Sequence, residues 1–380
     1  MTASLLSLTQ ELLRARDVRA SLDIIARVLN AEGFDVDLMV FGPTPNLVAR
    51  RAGDAGRPAL LFLGHADVVP AGLTEGGWRE EGWSHDPFSG DCEGGRLHGR
   101  GAVDMKGSIA CFLAALGSES SALPLSLLIS GDEEGSGVNG TPAVLDALQQ
   151  RGSLPSWDFV LIGEPTSTER LGDHVKIGCR GSVNVTVTVQ GQGGHVAYPQ
   201  TLVSPVTALV EFLERLDHDP FEEEDPLFGR THVETTSILA DSGACNVVPA
   251  VAKAAFNVRF TPGMTPEELM TRIKAWAPST PGVSWLWDFD WQSYPFASPA
   301  SPYLNVLTQS VKATMGKMPR VSALGASSDA RFLPRDLPFA EFGLFVQEAH
   351  KVNESVQVDD LERLRDIYSF FLRSLGDVRK

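Results

Sequence analysis

The sequence is poor in cysteine, with four in 380 residues. Cys92, Cys111, Cys179 and Cys245 lie far apart, and no two of them form a Cys-x-x-Cys pair. This spacing favours neither a disulfide framework nor a paired-cysteine motif. We therefore expect free thiols in a reducing cytoplasm.

The sequence also lacks a long apolar run, since none approaches the roughly 18 residues that a membrane span needs. Near the N-terminus, Glu11, Arg14, Arg16 and Asp17 lie among leucines, which predicts an amphipathic helix. No small-residue cleavage site follows an apolar core, so we expect no signal peptide. These features predict a cytoplasmic protein with no membrane partner.

Positive charge is scarce, because 32 Lys and Arg residues face 48 Asp and Glu residues, for a formal charge of −16. That balance disfavours nucleic acid and anionic membranes as partners. The acidic run at residues 222–225 is interpreted as a solvated loop. A chain of this length predicts about two domains, and we find no internal repeat or low-complexity tract.

Short apolar runs end where conspicuous polar motifs begin. Residues 59–63, 125–129 and 159–162 are such runs, and each predicts a buried strand of a largely parallel sheet with helices between the strands. Residues 105–116 are interpreted as one connecting helix. In an open α/β sheet, ligands bind at the carboxyl ends of the strands, where these motifs lie.

The pattern changes near Gly181. Residues 183–189 and 253–260 alternate apolar and polar side chains, as a half-exposed strand does, and residues 202–216 are helical in pattern. A capping box at Thr265 predicts a further helix. Strand, helix, strands, helix and strand in this order indicate a ferredoxin-like α+β insert.

A final amphipathic helix contains apolar residues from Leu361 to Leu375. We therefore predict an α/β fold, with a mixed, mostly parallel sheet and helices on both faces, interrupted by a lid and dimerisation domain. The predicted segments are 1–180 (catalytic domain, first part), 181–292 (insert) and 293–380 (catalytic domain, second part).

Six ionisable residues occupy glycine-flanked or strand-end positions: His65, Asp104, Glu133, Glu134, Glu164 and His350. Carboxylates and imidazoles are ligands that borderline divalent metals such as zinc accept. Five ligands and one spare carboxylate suit two ions that share a bridging aspartate. The pattern therefore predicts a two-metal hydrolase.

Each residue alone has a simpler interpretation. His65 and Asp67 could be a structural pair, although residues two apart on a strand face the same way, so Asp67 could also fix the tautomer of a metal-bound His65. Asp104 could be a helix N-cap, and His350 an exposed loop histidine. The adjacent Glu133 and Glu134 are more telling, because two neighbouring carboxylates after a buried strand repel one another unless a cation or shared proton compensates.

The order of these motifs resembles that of the co-catalytic zinc aminoacylase and carboxypeptidase family, over almost the whole chain. The shared strings are GHADVVP (64–70), WSHDPFSG (83–90), GRGAVDMKG (99–107), SGDEEGSG (130–137), GEPTSTERLGDHVKIGCRGS (163–182), GGHVAYP (193–199), GACNVVP (243–249), FNVRF (256–260), SSDARF (327–332), EFG (341–343) and HKVNE (350–354).

The resemblance implies a role for each matching residue. Asp104 would bridge two divalent metal ions, zinc or cobalt, with His65 and Glu164 completing one site and Glu134 and His350 the other. Glu133 would be the general base, and His195 would stabilise the oxyanion. Asp67, which the H-x-D spacing places beside His65, is counted with them as a catalytic-site residue. The residues implied to bind the carboxylates of the substrate are Arg180, Ser182, Tyr198, Asn246 and Arg259.

The resemblance further implies hydrolysis of a small N-succinyl amino acid, N-succinyl-LL-2,6-diaminopimelate, in lysine and cell-wall precursor synthesis. It also implies a homodimer that forms through the insert, and a cis peptide between Asp104 and Met105. Two alternatives remain open. A related deacylase would act on N-acetylornithine or another N-acyl amino acid, and a metal-free binding protein could use the same fold.

Overall fold

A computed structural model of the chain describes residues 4–72, 77–117, 122–218, 221 and 223–378. Within these residues the α-helices are α1 (Leu5–Arg14), α2 (Val18–Ala31), α3 (Lys106–Ala115), α4 (Thr141–Gln150), α5 (Pro205–Asp217), α6 (Pro266–Ala275), α7 (Pro302–Met315) and α8 (Val358–Asp377). Short 3₁₀ helices cover Gly77–Arg79, Pro199–Thr201, Asp329–Phe332 and Val346–Glu348.

The β-strands in the same residues are β1 (Asp35–Phe41), β2 (Thr44–Arg51), β3 (Leu60–His65), β4 (Cys92–Glu93), β5 (Arg96–His98), β6 (Leu125–Ser130), β7 (Phe159–Ile162), β8 (His174–Lys176), β9 (Gly178–Cys179), β10 (Gly181–Gln190), β11 (Gly194–His195), β12 (Glu224–Asp225), β13 (Gly229–Arg230), β14 (His232–Leu239), β15 (Val247–Val248), β16 (Val251–Phe260), β17 (Ser284–Ser293), β18 (Phe296–Ala297), β19 (Arg320–Ser322), β20 (Phe339–Glu341) and β21 (Ser355–Gln357).

The chain divides into two compact units. The first contains Met1–Ile177, Ser298–Ser322 and Ser327–Lys380, and the second contains Gly178–Ala297 and Ala323–Ala326. The second unit includes the whole predicted insert, residues 181–292. It also takes in a four-residue segment, Ala323–Ala326, that lies inside the stretch predicted to be catalytic.

The first unit is built on an eight-stranded mixed sheet in the order β1-β2-β6-β3-β7-β20-β8-β19. β3 pairs in parallel with both β6 and β7, and β20 pairs in parallel with β7. Apolar residues of α1, α2, α3, α7 and α8 pack with the sheet in one core. The predicted strands at the three motifs and the predicted α/β class are therefore confirmed.

The N-terminal prediction is only partly right. The amphipathic segment forms two helices, α1 and α2, rather than one, because the chain leaves the helical conformation at Ala15. Asp17 then caps α2, since its side chain accepts the backbone N–H of Ala20 at 2.8 Å. The short link therefore contains two of the charges, Arg16 and Asp17, that the sequence placed within one helix.

The second unit contains a four-stranded antiparallel sheet in the order β14-β16-β10-β17. The alternating valines of β10 are buried beside apolar residues of α5 and α6. Helix α6 begins with the predicted capping box between Thr265 and Glu268. The element order β10-α5-β14-β16-α6-β17 and the strand order together confirm the ferredoxin-like arrangement.

No helix among the described residues is both long and apolar enough to cross a bilayer. Of the acidic run predicted to be a solvated loop, Glu222 lies outside the described residues. Glu224 and Asp225 form the short strand β12, which pairs with β13.

Candidate metal centre

Three neighbouring strands of the first unit bring their carboxyl ends to one edge of the sheet. His65 is the last residue of β3 and lies in register with Ser130 at the end of β6. Glu133 and Glu134 follow β6, and Glu164 follows β7 after one glycine. Because β6, β3 and β7 are adjacent and parallel, these side chains converge at the predicted edge.

Asp104 and His350 reach the same place from loops. Nε2 of His65 lies 3.1 Å from Oδ1 of Asp104 and 3.7 Å from Oε1 of Glu164. Nε2 of His350 lies 3.2 Å from Oδ2 of Asp104 and 2.8 Å from Oε1 of Glu134. The two oxygens of Asp104 therefore face different histidines, which is the arrangement that a bridging carboxylate requires.

The structure excludes the simpler interpretation of Asp104. The N-cap of α3 is Met105, which makes no side-chain capping hydrogen bond, and the carboxylate of Asp104 points to the two histidines instead. The peptide between Asp104 and Met105 is cis, as the resemblance implied. His350 is half exposed, yet its ring nitrogen contacts two carboxylates, so it is not a free surface histidine.

Among the described residues, two groups of candidate ligand atoms are compact enough to hold an ion, and neither includes His350. One atom each from His65, Asp104 and Glu134 lie within 4.8 Å of one another, and so do atoms of His65, Glu133 and Glu164. Glu133, which the resemblance implied to be a base rather than a ligand, thus belongs geometrically to one of these groups.

The electrostatics of this edge are dominated by crowded carboxylates. Burial raises the pKa of Glu133 to about 7, and it raises the pKa of Glu164 well above its usual value. Burial also acts to raise the pKa of Asp104, but hydrogen bonds with His350 and His65 hold it below its usual value.

The two histidines respond to this negative charge. Hydrogen bonds to Asp104 and Glu134 raise the pKa of His350 to about 10. Burial would lower the pKa of His65, but the hydrogen bond to Asp104 and the charge of Glu164 raise it well above its usual value. The raised pKa values show that the acidic cluster favours positive charge at this edge. Divalent cations would supply the same positive charge, so this donor set fits metal ions.

Asp67 faces Nδ1 of His65 with both its main chain and its side chain. Nδ1 of His65 is 3.0 Å from the backbone oxygen of Asp67, whereas the Asp67 carboxylate is 3.6 Å away. The main-chain carbonyl is therefore the partner that orients the imidazole. The carboxylate instead accepts the backbone N–H groups of Glu133, at 3.3 Å, and Glu134, at 2.9 Å. Asp67 thus positions the segment that carries both glutamates.

Sequence reasoning also missed a buried carboxylate whose charge acts on Glu133, that of Asp329. Its Oδ2 accepts the hydroxyl of Thr141 at 2.6 Å, and burial raises its pKa to about 6. The charge of Asp329 in turn contributes to the raised pKa of Glu133. In the sequence, Asp329 lies in the SSDARF string, which the resemblance includes without a role for this aspartate.

A second overlooked residue is Lys106, the first residue of α3. Its buried ammonium donates to the backbone oxygens of Leu12, at 3.2 Å, and Ala15, at 2.8 Å, at the C-terminal end of α1. Burial lowers the pKa of Lys106 to about 8. Lys106 therefore joins α1 to the helix that follows Asp104.

The remaining predicted residues lie in the second unit, where they form two groups. In the first group, Nδ2 of Asn246 lies 3.5 Å from Nε2 of His195, and the rings of His195 and Tyr198 are 5.8 Å apart. Nδ1 of His195 accepts the backbone N–H of Ala197 at 3.1 Å. A neutral His195 with this contact carries its proton on Nε2, where it can donate a hydrogen bond.

The second group lies at one end of the antiparallel sheet. Ser182 on β10 pairs in register with Arg259 on β16. The neighbouring Arg180 donates to the backbone oxygen of Arg230 at 3.0 Å, and burial, together with the charge of Arg259, lowers the pKa of Arg180. Two close guanidinium groups of this kind suit an anionic ligand.

The chain matches Peptidase family M20/M25/M40 over residues 61–374. Succinyl-diaminopimelate desuccinylase from Acidiphilium cryptum is 41% identical over 372 residues, which cover 96% of this chain and 96% of that protein. The protein of the same name from Methylobacterium radiotolerans is 39% identical over 96% of this chain and 94% of its own length.

The fold has counterparts among solved structures. The YXEP protein of Bacillus subtilis, described as a dinuclear metal binding peptidase from the M20 family, is 13% identical and superposes with a TM-score of 0.67. The match covers 97% of this chain and 96% of that one. At this identity the likeness concerns the fold alone.

Proposed function

The chain belongs to peptidase family M20/M25/M40, and we propose that it hydrolyses N-succinyl-LL-2,6-diaminopimelate to succinate and LL-2,6-diaminopimelate. The observation that carries this proposal is the 41% identity to a desuccinylase over 96% of both chains. The reaction would serve lysine and cell-wall precursor synthesis in the cytoplasm. The enzyme is accordingly a metal-dependent amide hydrolase.

The residues at the sheet edge would hold two divalent ions, zinc or cobalt. His65, Asp104 and Glu164 would hold one, and Asp104, Glu134 and His350 the other. This division is supported because the two carboxylate oxygens of Asp104 face different histidines. When bound, such ions lower the pKa of water and polarise a carbonyl oxygen.

Glu133 is the residue that we assign as general base. It lies three residues after the end of β6, is partly buried, and has a pKa raised to about 7 by that burial. A carboxylate in this range can take a proton from the attacking water and return it to the leaving amine. Asp67 would keep Glu133 in place through its backbone N–H.

The second unit would supply substrate contacts. His195 would donate from Nε2 to the developing oxyanion, as its contact with Ala197 allows. Arg180, Ser182, Tyr198, Asn246 and Arg259 would bind the carboxylates of the substrate. We further propose that this unit acts as a lid and that it mediates a homodimer, since edge strands such as β14 commonly pair with a partner.

The proposal is tested by assaying N-succinyl-LL-2,6-diaminopimelate and N-acetylornithine side by side with the purified protein. A much higher kcat/KM for the succinylated substrate is expected. Preference for acetylornithine would make the chain a different deacylase. Turnover of neither substrate by protein that contains no metal would favour a metal-free binding protein.

A further inference from the structure

A buried ion pair joins the two loops that carry Asp104 and His350. Nη1 of Arg100 lies 2.8 Å from Oε2 of Glu354, and the Glu354 side chain is fully buried. Neither residue belongs to the proposed ligand set or to the substrate contacts. A buried pair of this kind contributes little to stability on its own, so its role must be sought in what it positions.

Glu354 holds the first loop by its backbone. Its Oε1 accepts the N–H of Val103 at 3.0 Å and the N–H of Asp104 at 3.3 Å. Its own backbone oxygen accepts the N–H of Gly99 at 3.0 Å. The peptide that precedes the Asp104 side chain is therefore fixed by a residue 250 positions later in the chain.

Arg100 holds the second loop in return. Its guanidinium donates to the backbone oxygens of Lys351, at 3.1 Å, and His350, at 3.5 Å. The backbone of His350 is left-handed, with φ of 63°, and so is that of Asn353, with φ of 62°. Such conformations are costly for residues other than glycine and persist where the surroundings enforce them.

We propose that the Arg100–Glu354 pair, hereafter the latch, is a positioning device for the metal site formed by Asp104, Glu134 and His350. Asp104 and His350, two of these three ligands, lie on latched loops. The other site shares Asp104, but its remaining ligands lie at ends of the central strands, where His65 is the last residue of β3 and Glu164 follows β7. The latch therefore bears more strongly on this site than on the other. This inference rests on the proposed function, because it presupposes two bound ions.

The test measures the dissociation constants of both ions in Glu354→Gln by titrating the metal-free protein with cobalt(II) against a chelator. Gln has the shape of Glu but no negative charge, so the variant loses the ion pair with the Arg100 guanidinium. Loss of a group that orients a ligand typically weakens metal affinity about 10–100-fold. The larger loss is expected at the His350 site, and a smaller one at the other site, which shares only Asp104 with the latched loops.

Further variants show which dissociation constant belongs to the latched site and whether loss of any backbone-binding carboxylate has the same effect. His350→Ala shows which of the two constants belongs to the latched site. Asp225→Asn is the control, because Asp225 in the second unit also accepts two backbone N–H groups, those of Leu227 and Phe228. It is expected to leave both constants unchanged. Arg100→Lys keeps the positive charge, loses the paired donation and serves where Glu354→Gln does not fold.

The outcomes are distinct. Selective weakening of the His350 site in Glu354→Gln or Arg100→Lys supports the latch. Equal weakening of both sites, or none, in a folded variant overturns it while leaving the proposed function intact. A wild-type protein that binds no cobalt(II) overturns both the latch and the proposed function.

Discussion

The candidate residues of the two units differ in solvent exposure. In the first unit, His65 and Asp104 are 1% and 8% exposed and contact one another. In the second, Tyr198 is 58% exposed, and His195 and Asn246 are also exposed. Buried charges need partners inside the protein, whereas exposed polar groups can be hydrated until a ligand binds. His350, which is half exposed, and Ser182, which is buried, depart from this contrast. The contrast otherwise supports the proposal that the first unit holds ions and the second contacts substrate.

The largest expected effect tests the first unit. Glu133→Gln removes the proposed base but keeps the size of the side chain, so kcat should fall about 10²–10⁴-fold. Metal content measured by elemental analysis should stay at the wild-type value, because Glu134 and not Glu133 is the assigned ligand. A variant with near-normal kcat would refute the base assignment, and loss of an ion would make Glu133 a ligand.

The second unit is tested by His195→Ala. Removal of an oxyanion donor costs about 10²–10³-fold in kcat. Because His195 is exposed, the melting temperature and the content of both metals should remain those of the wild type. An unchanged kcat would show that His195 does not stabilise the oxyanion.

Mixing the two defects sharpens the comparison between the units. In a homodimer whose sites draw His195 from the partner subunit, hybrids of Glu133→Ala and His195→Ala contain one intact site. Activity should then recover partly when the two inactive proteins are unfolded and refolded together. Absence of recovery in confirmed hybrids would place His195 in the same subunit as its metals.

The ligand assignment is tested by single-site losses. Removing metal with a chelator should abolish activity, and zinc or cobalt should restore it. His65→Ala and His350→Ala should each bind one ion fewer, since each histidine contacts Asp104 from a different oxygen. Two ions bound at full affinity in either variant would contradict the assignment.

The smallest effect concerns stability alone. Lys106→Met removes the two hydrogen bonds to Leu12 and Ala15, and should lower the free energy of unfolding by about 1–3 kcal/mol. Urea unfolding of the metal-free protein measures this change. Lys312→Met, at an exposed position of α7, is the control and should stay within about 0.5 kcal/mol of the wild type. Equal stabilities of the two variants would show that Lys106 does not anchor α1.

Much of the first unit could be predicted because the end of a buried strand is marked in the sequence by a change from apolar to polar residues. An uninterrupted apolar run such as residues 159–162 must be buried, so a charged residue directly after it lies at a sheet edge. In the second unit, the alternating valines of β10 and the capping box at Thr265 were equally clear. Both signals are local, and each depends on fewer than about a dozen neighbouring residues.

The missed contacts depend on the paths of loops. Nothing near Asp67 in sequence shows that its carboxylate turns toward the N–H groups of Glu133 and Glu134. The same holds for Asp329 and Thr141, which are 188 positions apart. The break between α1 and α2 was missed because the apolar pattern continues through it, and the capping role of Asp17 depends on the backbone conformation at that residue.

The first unit is made of chain segments that precede and follow the second unit, and this order affects how it folds during synthesis. His350 lies 216 positions after Glu134, and β20 and α8 also follow the second unit in the chain. During translation, at about 5–20 residues per second, the sheet of the second unit can form from one nearly continuous stretch before its host is complete. The enclosing unit must wait for the segment that contains His350. We therefore expect nascent chains that end before residue 350 to contain a folded insert but no complete metal centre, so that metal loading follows synthesis.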